Sequence, residues 1–256
     1  MTLQYASDLH LEFPANRAWL NEHPIQPVGD ILVLAGDMLL LGDRKLEHHE
    51  IISRWADQFE EVYLIPGDHE YYRGLELRDT LTDFEYPIRR NVRFLNNRSI
   101  RLGETDLFFT SLWSVVDKES IGIVNQRLND CHHIHYKSCL LAASRLAEIH
   151  SICLEWLSEA LTRSDAPHKV VVTHHCPTRQ SAFNNHPGSL LNSAFMVDLD
   201  HFIESHEIDS RIYGHTHYNG GCGTSIAGTK LLTNQLGYVH VDELWHFKAD
   251  AILPFQ

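Results

Sequence analysis

The chain has 256 residues, 43% of them hydrophobic, and a formal net charge of −13. This length and apolar content predict one sizeable core, and we expect residues 1–256 to form a single domain. The acidic balance disfavours binding to long nucleic acids, because a negative surface repels a phosphate backbone, but it allows a small phosphate substrate held through bound cations.

The sequence shows no targeting or membrane signal. The amino terminus has neither a basic region nor the long apolar run of a secretory signal. The longest apolar stretch, ILVLAGDMLLL, is short and contains Asp37, so it does not predict a membrane span. The five cysteines are scattered and form no CxxC pair, which is typical of free thiols. We therefore expect a cytoplasmic protein with no membrane partner, and the sequence leaves its oligomeric state open.

Five apolar runs are each followed by aspartate or histidine. They are short and bounded by Gly or Pro, which predicts buried β-strands. In chain order they are TLQYASDLH, ending at Asp8 and His10; DILVLAGD, ending at Asp37; EVYLIPGDHE, ending at Asp68 and His69; KVVVTHHCP, ending at His174 and His175; and SRIYGHTH, ending at His215 and His217. Ligands collect beyond the carboxyl ends of strands in α/β sheets, so these ends predict one shared site.

Helical spacing of apolar residues predicts helices between these strands. The segments are 43–60, 135–164 with a bend near Ser151, and 193–208. Alternation of strands and helices favours an α/β fold. After His217, the segments GTKLLTNQLGYVH and LWHFKADAI have the pattern of strands joined by turns, which predicts an antiparallel C-terminal part.

Two irregular segments, 114–135 and 176–195, are rich in Asn, Ser and His. Loops on a rigid scaffold often carry specificity, so these segments are candidate walls of a substrate pocket. The alternative for any single residue in them is an ordinary surface loop.

The side chains at the strand ends suit a pair of metal ions. Asp8 and His10 are two residues apart and lean to the same side, and His215 and His217 repeat this spacing. Asp37 can bridge two ions through its two oxygens. A mixed nitrogen and oxygen set suits Mn, Fe, Zn, Co or Ni. Two such ions can bridge a hydroxide and direct an in-line displacement at phosphorus.

The motifs D-x-H, GD, GDHE, THH and GHTH occur in this order over residues 8–217 and resemble the calcineurin-like metallophosphoesterase family. Further similarity lies in RLND (127–130) and TNQLGY (233–238). Each motif alone is common, whereas five in register are specific. The resemblance implies an α/β four-layer sandwich, with two packed β-sheets flanked by helices and the site at the strand ends.

The resemblance also implies a role for each residue. The first metal ion would be bound by Asp8, His10, Asp37 and His217, and the second by Asp37, Asp68, His174 and His215. His69 would contact the phosphate and protonate the leaving oxygen, or at least neutralise charge there, because histidine titrates near neutral pH. His69 and the bridging Asp37 are the candidate catalytic residues. The cofactors would be two divalent or mixed-valence transition metal ions, with Mn, Fe or Zn as the candidates.

Several neighbouring residues have open roles. His175 follows a candidate ligand, but adjacent strand residues point oppositely, which favours a supporting role. Glu70 would orient His69 or open the next helix, where an acid suits the helix dipole, with a role as a metal ligand as the alternative. The triplet His132, His133 and His135 would line the pocket or face solvent, with a third metal site as the alternative.

Position 68 departs from the family pattern, which reads G-N-H-[DE]. An asparagine would bind metal through its oxygen and donate to the phosphate through its NH₂, whereas an ionised aspartate has no donor. An ionised Asp68 would also remove the one net positive charge left on two M²⁺ ions with Asp8, Asp37 and a bridging hydroxide. A tolerated natural variant, a variant suited to Fe³⁺ or a less charged substrate, and an engineered Asn→Asp change all remain open.

Together these features predict a dinuclear metal-dependent phosphoesterase with a metal-bridging hydroxide as nucleophile. Its substrate would be a small phosphate ester, with a nucleotide as one candidate. Lowered positive charge favours phosphodiesters over dianionic monoesters. The alternative is a metallophosphoesterase-like binding protein whose turnover is impaired by Asp68, although the other motif residues are intact.

Overall fold

Two six-stranded β-sheets lie at the centre of the fold. This computed structural model describes residues 2–42, 46–180 and 188–254. Residues 43–45 of a predicted helix and 181–187 of a predicted pocket segment lie outside the described residues.

The strands are β1 (Thr2–Ala6), β2 (Ile31–Leu34), β3 (Glu61–Leu64), β4 (Phe84–Arg89), β5 (Val92–Asn96), β6 (Arg98–Leu102), β7 (Thr105–Phe109), β8 (His135–Tyr136), β9 (Cys139–Leu140), β10 (His168–Val172), β11 (Ser210–Tyr213), β12 (Ser225–Ile226), β13 (Thr229–Thr233) and β14 (Ile252–Pro254). The α-helices are α1 (Pro14–Glu22), α2 (Glu50–Gln58), α3 (Ile121–Arg127), α4 (Asp130–His133), α5 (Leu146–Arg163), α6 (Asn192–Phe195) and α7 (Asp200–Glu204). Short 3-10 helices occupy Leu46–His48, His69–Tyr71, Leu77–Thr80, Lys118–Ser120, Ala143–Arg145 and Val239–Val241.

Both sheets have the same plan, with parallel strands in the middle and an antiparallel strand at each edge. The first sheet has the order β14-β1-β2-β3-β5-β4, and the second has the order β12-β13-β11-β10-β7-β6. In the first, β1, β2, β3 and β5 are parallel. In the second, β7, β10, β11 and β13 are parallel. The carboxyl ends of the middle strands therefore lie at one edge of each sheet, where α/β folds place their ligands.

Alternation of side chains along the middle strands explains the layers. Val33 of β2 and Val172 of β10 lie in the apolar core between the two sheets. The residues just before them in each strand point to the outer faces of the sheets. Leu32 of β2 packs with Trp55 of α2, and Val171 of β10 packs against α5. Successive strand residues point to opposite faces, so both faces of each sheet are apolar. The resulting order of helix, sheet, sheet and helix confirms the predicted α/β four-layer sandwich.

The predicted helices are partly present. The segment 43–60 contains α2, and α5 fills the second half of 135–164. The predicted bend is absent because α5 continues through Ser151, whose hydroxyl donates to the Ala147 carbonyl within the helix. Residues before α5 form the β8–β9 hairpin, where left-handed Lys137 and Ser138 supply the tight turn.

The third predicted helix, over 193–208, is interrupted in the structure. It is divided into the short helices α6 and α7. Between them the backbone of Met196 is extended and forms a β-bridge with Cys176. Apolar spacing alone does not reveal this interruption, because the bridge joins residues distant in sequence.

The C-terminal part is antiparallel at two of its three pairings. Strand β12 pairs antiparallel with β13, and β14 pairs antiparallel with β1, while β13 lies parallel to β11. The stretch LWHFKADAI forms turns, and β14 begins only at its last residue, Ile252. None of the helices in the described ranges is long and apolar enough to cross a membrane.

Candidate metal centre

The loops after β1, β2, β3, β10 and β11 meet where the carboxyl ends of the two sheets lie side by side. The Ser7 N–H donates to the Asn234 carbonyl, which ties the end of β1 to the end of β13. The Gly214 N–H donates to the His174 carbonyl, which ties the loops after β11 and β10. This convergence brings the eight predicted site residues into one largely buried cluster: Asp8, His10, Asp37, Asp68, His69, His174, His215 and His217.

One group of potential ligand atoms belongs to Asp8, His10, Asp37 and His217, and these atoms all lie within 4.8 Å of one another. The Nε2 atoms of His10 and His217 are 3.0 Å apart. His10 Nε2 is 3.8 Å from Asp37 Oδ2, and His217 Nε2 is 3.5 Å from Asp8 Oδ1. Atoms bound at about 2.0–2.2 Å to one ion have mutual separations of this kind.

A second group belongs to Asp37, Asp68, His174 and His215, again within 4.8 Å. His174 Nε2 lies 3.2 Å from Asp68 Oδ1 and 3.1 Å from His215 Nδ1. It also lies 3.5 Å from Asp37 Oδ2, the oxygen that belongs to the first group as well. Asp37 therefore stands between the two groups, in the position of a bridging carboxylate.

Three of the imidazoles have their other ring nitrogen held by an oxygen. The pairs are His10 Nδ1 with Glu12 Oε1 at 3.0 Å, His217 Nδ1 with Glu243 Oε2 at 2.5 Å, and His174 Nδ1 with the Ala35 carbonyl at 2.8 Å. Carboxylates and carbonyls that accept from Nδ1–H fix the tautomer and leave Nε2 free to bind a metal. His10 and His217 thus direct two Nε2 atoms at the same point, and a cation there satisfies both. The donor set fits two transition metal ions.

Five of the candidate ligands have left-handed backbone conformations. The φ angles are +55° at Asp8, +47° at His10, +58° at Asp37, +74° at His215 and +49° at His217. Such conformations are uncommon for residues with a side chain and cost about 1–3 kcal/mol each where they are strained. The loops turn sharply here, which aims the side chains of successive motif residues back into the cluster.

Close packing explains the glycines of the GD and GDHE motifs. Gly36 has φ of +91°, and a Cβ there would lie 2.3 Å from His174 Nδ1. A Cβ at Gly67 would lie 2.2 Å from Asp37 Oδ1. Both distances are shorter than any real contact, so a side chain at either position would displace a candidate ligand.

Glu70 supports the backbone rather than orienting His69. Its fully buried carboxylate accepts N–H groups from Gly67 at 2.7 Å, Asp37 at 3.1 Å, Met38 at 2.7 Å and Leu39 at 3.2 Å. Burial and the Asp37 charge raise the pKa of Glu70. Its two oxygens nevertheless accept all four N–H groups, and a protonated oxygen would face a donor, so these bonds require the ionised form. Glu70 joins the loops after β2 and β3, and it corrects the expectation that it would orient His69.

His69 lies beside the second group and is held from both sides. Its Nδ1 is 2.7 Å from Glu12 Oε1, and its Nε2 is 3.1 Å from the Tyr238 hydroxyl. The same Glu12 oxygen also pairs with His10. Burial alone would lower the pKa of His69, but Asp37 and Glu12 raise it to about 10 in the metal-free protein. His69 therefore carries a proton at neutral pH.

Asp68 belongs to a wider acidic arrangement. The Tyr72 hydroxyl lies 3.0 Å from Asp68 Oδ2 and 2.7 Å from Asp130 Oδ1, and it can donate to only one of them at a time. Burial would raise the pKa of Asp68, but His215 and His174 hold it well below its usual range. Burial and the Asp68 charge raise the pKa of Asp130, which favours its protonated form.

His175 belongs to neither metal group, although it packs against a member of the second. His175 is buried, and its ring packs 4.1 Å from that of His215 and 5.1 Å from that of Trp113. Burial and the His215 charge lower its pKa well below the usual value, so it is neutral.

The His132, His133 and His135 triplet forms no metal-binding group within the described ranges. His132 is exposed and its Nε2 lies 3.2 Å from the Gln126 carbonyl, whereas His133 packs its ring 5.1 Å from that of Tyr72. His135 begins β8 and is also exposed. Of these three histidines, only His133 is therefore placed to contribute to a pocket.

A cleft of about 400 Å³ leads to the cluster. Residues from 127–130 and from 189–196 lie on its walls, so both predicted pocket segments contribute to it through their described parts. Contact of these residues with a substrate stays a prediction.

Sequence reasoning missed five residues of this site: Glu12, Tyr72, Asp130, Tyr238 and Glu243. Glu12 follows His10 by two positions, so strand-end spacing was a usable signal. Tyr72 packs partly against the apolar cluster of its buried neighbour Tyr71, and no sequence pattern links its hydroxyl to Asp68. Asp130 belongs to the RLND motif, but nothing local links it to Asp68. Glu243 follows a C-terminal turn, and no spacing rule connects it to His217.

Comparison with known proteins agrees with this geometry. The family model described as calcineurin-like phosphoesterase matches residues 1–219. An uncharacterized protein of Acanthamoeba polyphaga mimivirus, L509, is 26% identical in an alignment of 268 positions that covers 93% of this chain and 91% of that protein.

Solved structures give the same fold. Phosphopantetheinyl hydrolase from Mycobacterium tuberculosis has a TM-score of 0.66 at 18% identity, covering 93% of this chain and 90% of that chain. TT1561 of Thermus thermophilus has a TM-score of 0.52 at 11% identity, covering 93% and 89%. At these identities the likeness concerns the architecture and not the substrate.

We expect Mn²⁺ to bind the metal-free protein more tightly as the pH rises from about 6 to 8. Burial alone would lower the pKa of His217, but Asp8 and Glu243 raise it to about 9, and Asp37 likewise raises the pKa of His174. An incoming ion must displace these protons, so its affinity should rise about tenfold per pH unit for each proton released. Calorimetric titration in buffers of different ionisation enthalpy counts the protons, and a pH-independent affinity would contradict the expectation.

The same pKa shifts predict how the metal-free protein responds to pH. A histidine with a raised folded-state pKa contributes stability that is fully present below its unfolded pKa of about 6.5. For His217 this contribution is lost as the pH rises through about 9. Thermal unfolding of the metal-free protein should therefore show a falling Tm over this interval, and an unchanged Tm would oppose the assigned charge of His217.

We expect Glu70→Gln to lower the free energy of unfolding by about 2–4 kcal/mol. The amide NH₂ of glutamine would face backbone N–H groups that now donate to a carboxylate, and buried donors without an acceptor are costly. Urea unfolding of the metal-free protein measures the change. Glu60→Gln, at an exposed position directly before β3, is the matched control. Equal stability of the two variants would show that the Glu70 bonds do not hold the loops together.

Proposed function

Because the chain belongs to the calcineurin-like phosphoesterase family, we propose that it is a dinuclear metal-dependent hydrolase of small phosphate esters. The observation that carries this proposal is the pair of ligand groups that share Asp37. A single carboxylate oxygen lies 3.8 Å from His10 Nε2 in one group and 3.5 Å from His174 Nε2 in the other. This arrangement supports two ions a short distance apart.

The ligand sets of the proposal are those of the two groups. The first ion would be held by Asp8, His10, Asp37 and His217, and the second by Asp37, Asp68, His174 and His215. Three carboxylates and four imidazoles without a thiolate suit Mn, Fe or Zn. When bound, the ions would supply the nucleophile for an in-line displacement at phosphorus and neutralise charge on the phosphate group.

His69 is proposed to deliver the proton to the leaving oxygen. Glu12 holds its Nδ1, so the proton available for transfer is on Nε2, which lies 3.8 Å from Asp68 Oδ2 at the wall of the cleft. The Tyr238 hydroxyl at 3.1 Å fixes the direction of this nitrogen. Glu12 would also stabilise the protonated ring until the leaving oxygen develops charge.

The charges around the cleft support a phosphodiester over a phosphomonoester. The carboxylates of Asp68 and Glu243 line the cleft, and Asp68 adds a negative charge within the second ligand group. A diester carries one negative charge and a monoester carries two, so the diester is repelled less. The alternative function, a binding protein with impaired turnover, rests on the same acidic surroundings of Asp68.

A cytoplasmic location is also proposed, because all five cysteines lie in the described part of the chain and are free. Burial raises the pKa of the Cys176 thiol to about 12 and that of Cys131 to about 11, so these two thiols are unreactive. Free thiols are typical of a reducing compartment.

We expect His69→Asn to slow hydrolysis of an alkyl phosphate ester by about 10²–10⁴-fold. Hydrolysis of a p-nitrophenyl ester should slow far less, because p-nitrophenolate departs without a proton. Steady-state rates with both esters, at equal bound metal, separate the two effects. His132→Asn, on the exposed side of α4, is the control. An equal loss for both esters would exclude proton delivery by His69.

We expect Asp68→Asn to raise kcat/KM for p-nitrophenyl phosphate relative to bis-p-nitrophenyl phosphate by about tenfold, which is about 1.4 kcal/mol of transition-state energy. The change removes one negative charge near the phosphate and adds an amide donor. Metal affinity should fall. Asp79→Asn, an exposed substitution outside the cleft, is the control.

The same measurement distinguishes the two candidate functions. Substantial turnover by the unaltered chain supports the enzyme. A large gain for both esters in Asp68→Asn, from a negligible starting rate, supports the binding protein. An unchanged ratio between the two esters would remove the charge argument for a diester preference.

A further inference from the structure

A second cavity, here called the side pocket, adjoins the metal cleft. It has a volume of about 420 Å³. His69, Tyr72, Asn129 and Tyr238 line both the side pocket and the cleft. The candidate proton donor therefore stands at the junction of two connected spaces.

Aromatic rings dominate the side pocket. The ring of Tyr72 stacks on that of His69 at 4.4 Å and 29°, and the ring of His133 lies 5.1 Å beyond Tyr72. The ring of Phe13 meets that of Tyr238 edge-on at 5.4 Å, and His240 lies 5.8 Å from Phe13. His133 and His240 are exposed, which leaves ring surface accessible at the mouth of the pocket.

The position of His69 relates the side pocket to the reaction. Its Nε2 faces Tyr238 and Asp68 in the cleft, while its Nδ1 is held by Glu12, which lines the side pocket and not the cleft. The side pocket adjoins the His69 ring, so it has room for a group bonded to the oxygen that His69 would protonate. Tyr72 and Tyr238 line both spaces and would lie beside that group.

We propose that the side pocket binds the nucleobase of a nucleoside phosphate, so that the nucleoside is the leaving group. The inference rests on the proposed function for the position of the leaving oxygen. Faces of Tyr, Phe and His bind planar bases by stacking, which tolerates different bases. The ring centroids of Tyr72 and Phe13 lie 4.4 and 6.2 Å from that of His69, so a base in the side pocket would lie close to the proton donor.

Asn129 supplies the polar contact expected of such a pocket. Its side chain is exposed and belongs to the lining of both spaces. An amide offers a donor and an acceptor together, the pair that adenine presents along one edge. Other residues of the cleft, among them Arg127, Ser189 and Asn192, remain available to the phosphate's other substituent.

The test compares esters that differ only in the base. Adenosine 5′-phosphate is paired with ribose 5-phosphate, and the methyl ester of each forms a second pair for a diester-specific enzyme. Within a pair the leaving alkoxide and the charge are the same. We expect kcat/KM to be about tenfold or more higher for the adenosine compounds, in line with the strength of base–aromatic stacking.

Variants at neighbouring histidines locate the effect. His133→Ala should reduce the advantage of the adenosine compounds by about fivefold to tenfold, because it removes a ring of the side pocket. His132→Ala changes the adjacent residue of the same helix, which is exposed and does not line either space, so the advantage should persist. Equal losses in the two variants would overturn the assignment of His133 to a base-binding pocket.

Equilibrium binding separates this proposal from the proposed function. Adenosine, which lacks phosphate, is titrated into the full chain and followed by saturation-transfer NMR. Binding that is weakened by His133→Ala supports the side pocket even if no ester is hydrolysed, and in that case the proposed function fails alone. Equal hydrolysis of paired esters, with no adenosine binding, overturns the side pocket and leaves the phosphoesterase standing.

Discussion

The arrangement of this protein depends on three carboxylates, those of Asp8, Asp37 and Asp68, buried close together at the meeting edge of two sheets. Burying one carboxylate is costly, and burying several side by side costs more unless positive charge lies between them. In the metal-free protein that charge comes from protonated imidazoles, whose pKa values the carboxylates raise. Metal ions would take over the same task with greater charge. The same groups that would bind metal therefore stabilise the metal-free protein through ion pairs between carboxylates and protonated imidazoles.

The loops that carry these groups are fixed by bonds remote from the chemistry. Glu70 gathers four backbone N–H groups from two loops, and Gly36 and Gly67 leave the space that the ligands fill. The left-handed conformations of Asp8 and Asp37 are tolerable because this frame determines them. A preorganised site avoids the energetic cost of assembling ligands around an ion. Here the candidate ligands are held in place by motif residues, Glu70, Gly36 and Gly67, that are not candidate ligands themselves.

Much of the fold and the ligand set could be predicted from the sequence, because both leave local signals. A strand followed by Gly-Asp or by His-x-His is visible within ten residues, and parallel strands then bring these ends together. The interruption at Met196 and the β8–β9 hairpin were missed, since apolar spacing does not register a bridge to Cys176 or a turn in left-handed backbone. The partners of the ligands were equally hidden. Glu243 contacts His217 only because the C-terminal turn folds back, and no local sequence pattern predicts that contact.

Glu12 shows how the metal site and the proton donor are coupled. One of its oxygens pairs with Nδ1 of both His10 and His69, 3.0 and 2.7 Å away. An ion on Nε2 of His10 would draw electron density from the ring. The Nδ1–H group would become more acidic, and its hydrogen bond to Glu12 would become stronger. The Glu12 carboxylate would then stabilise protonated His69 less, and His69 would release its Nε2 proton more easily. Binding of an ion at His10 would thus change the acidity of His69 through a single side chain, which lines the side pocket.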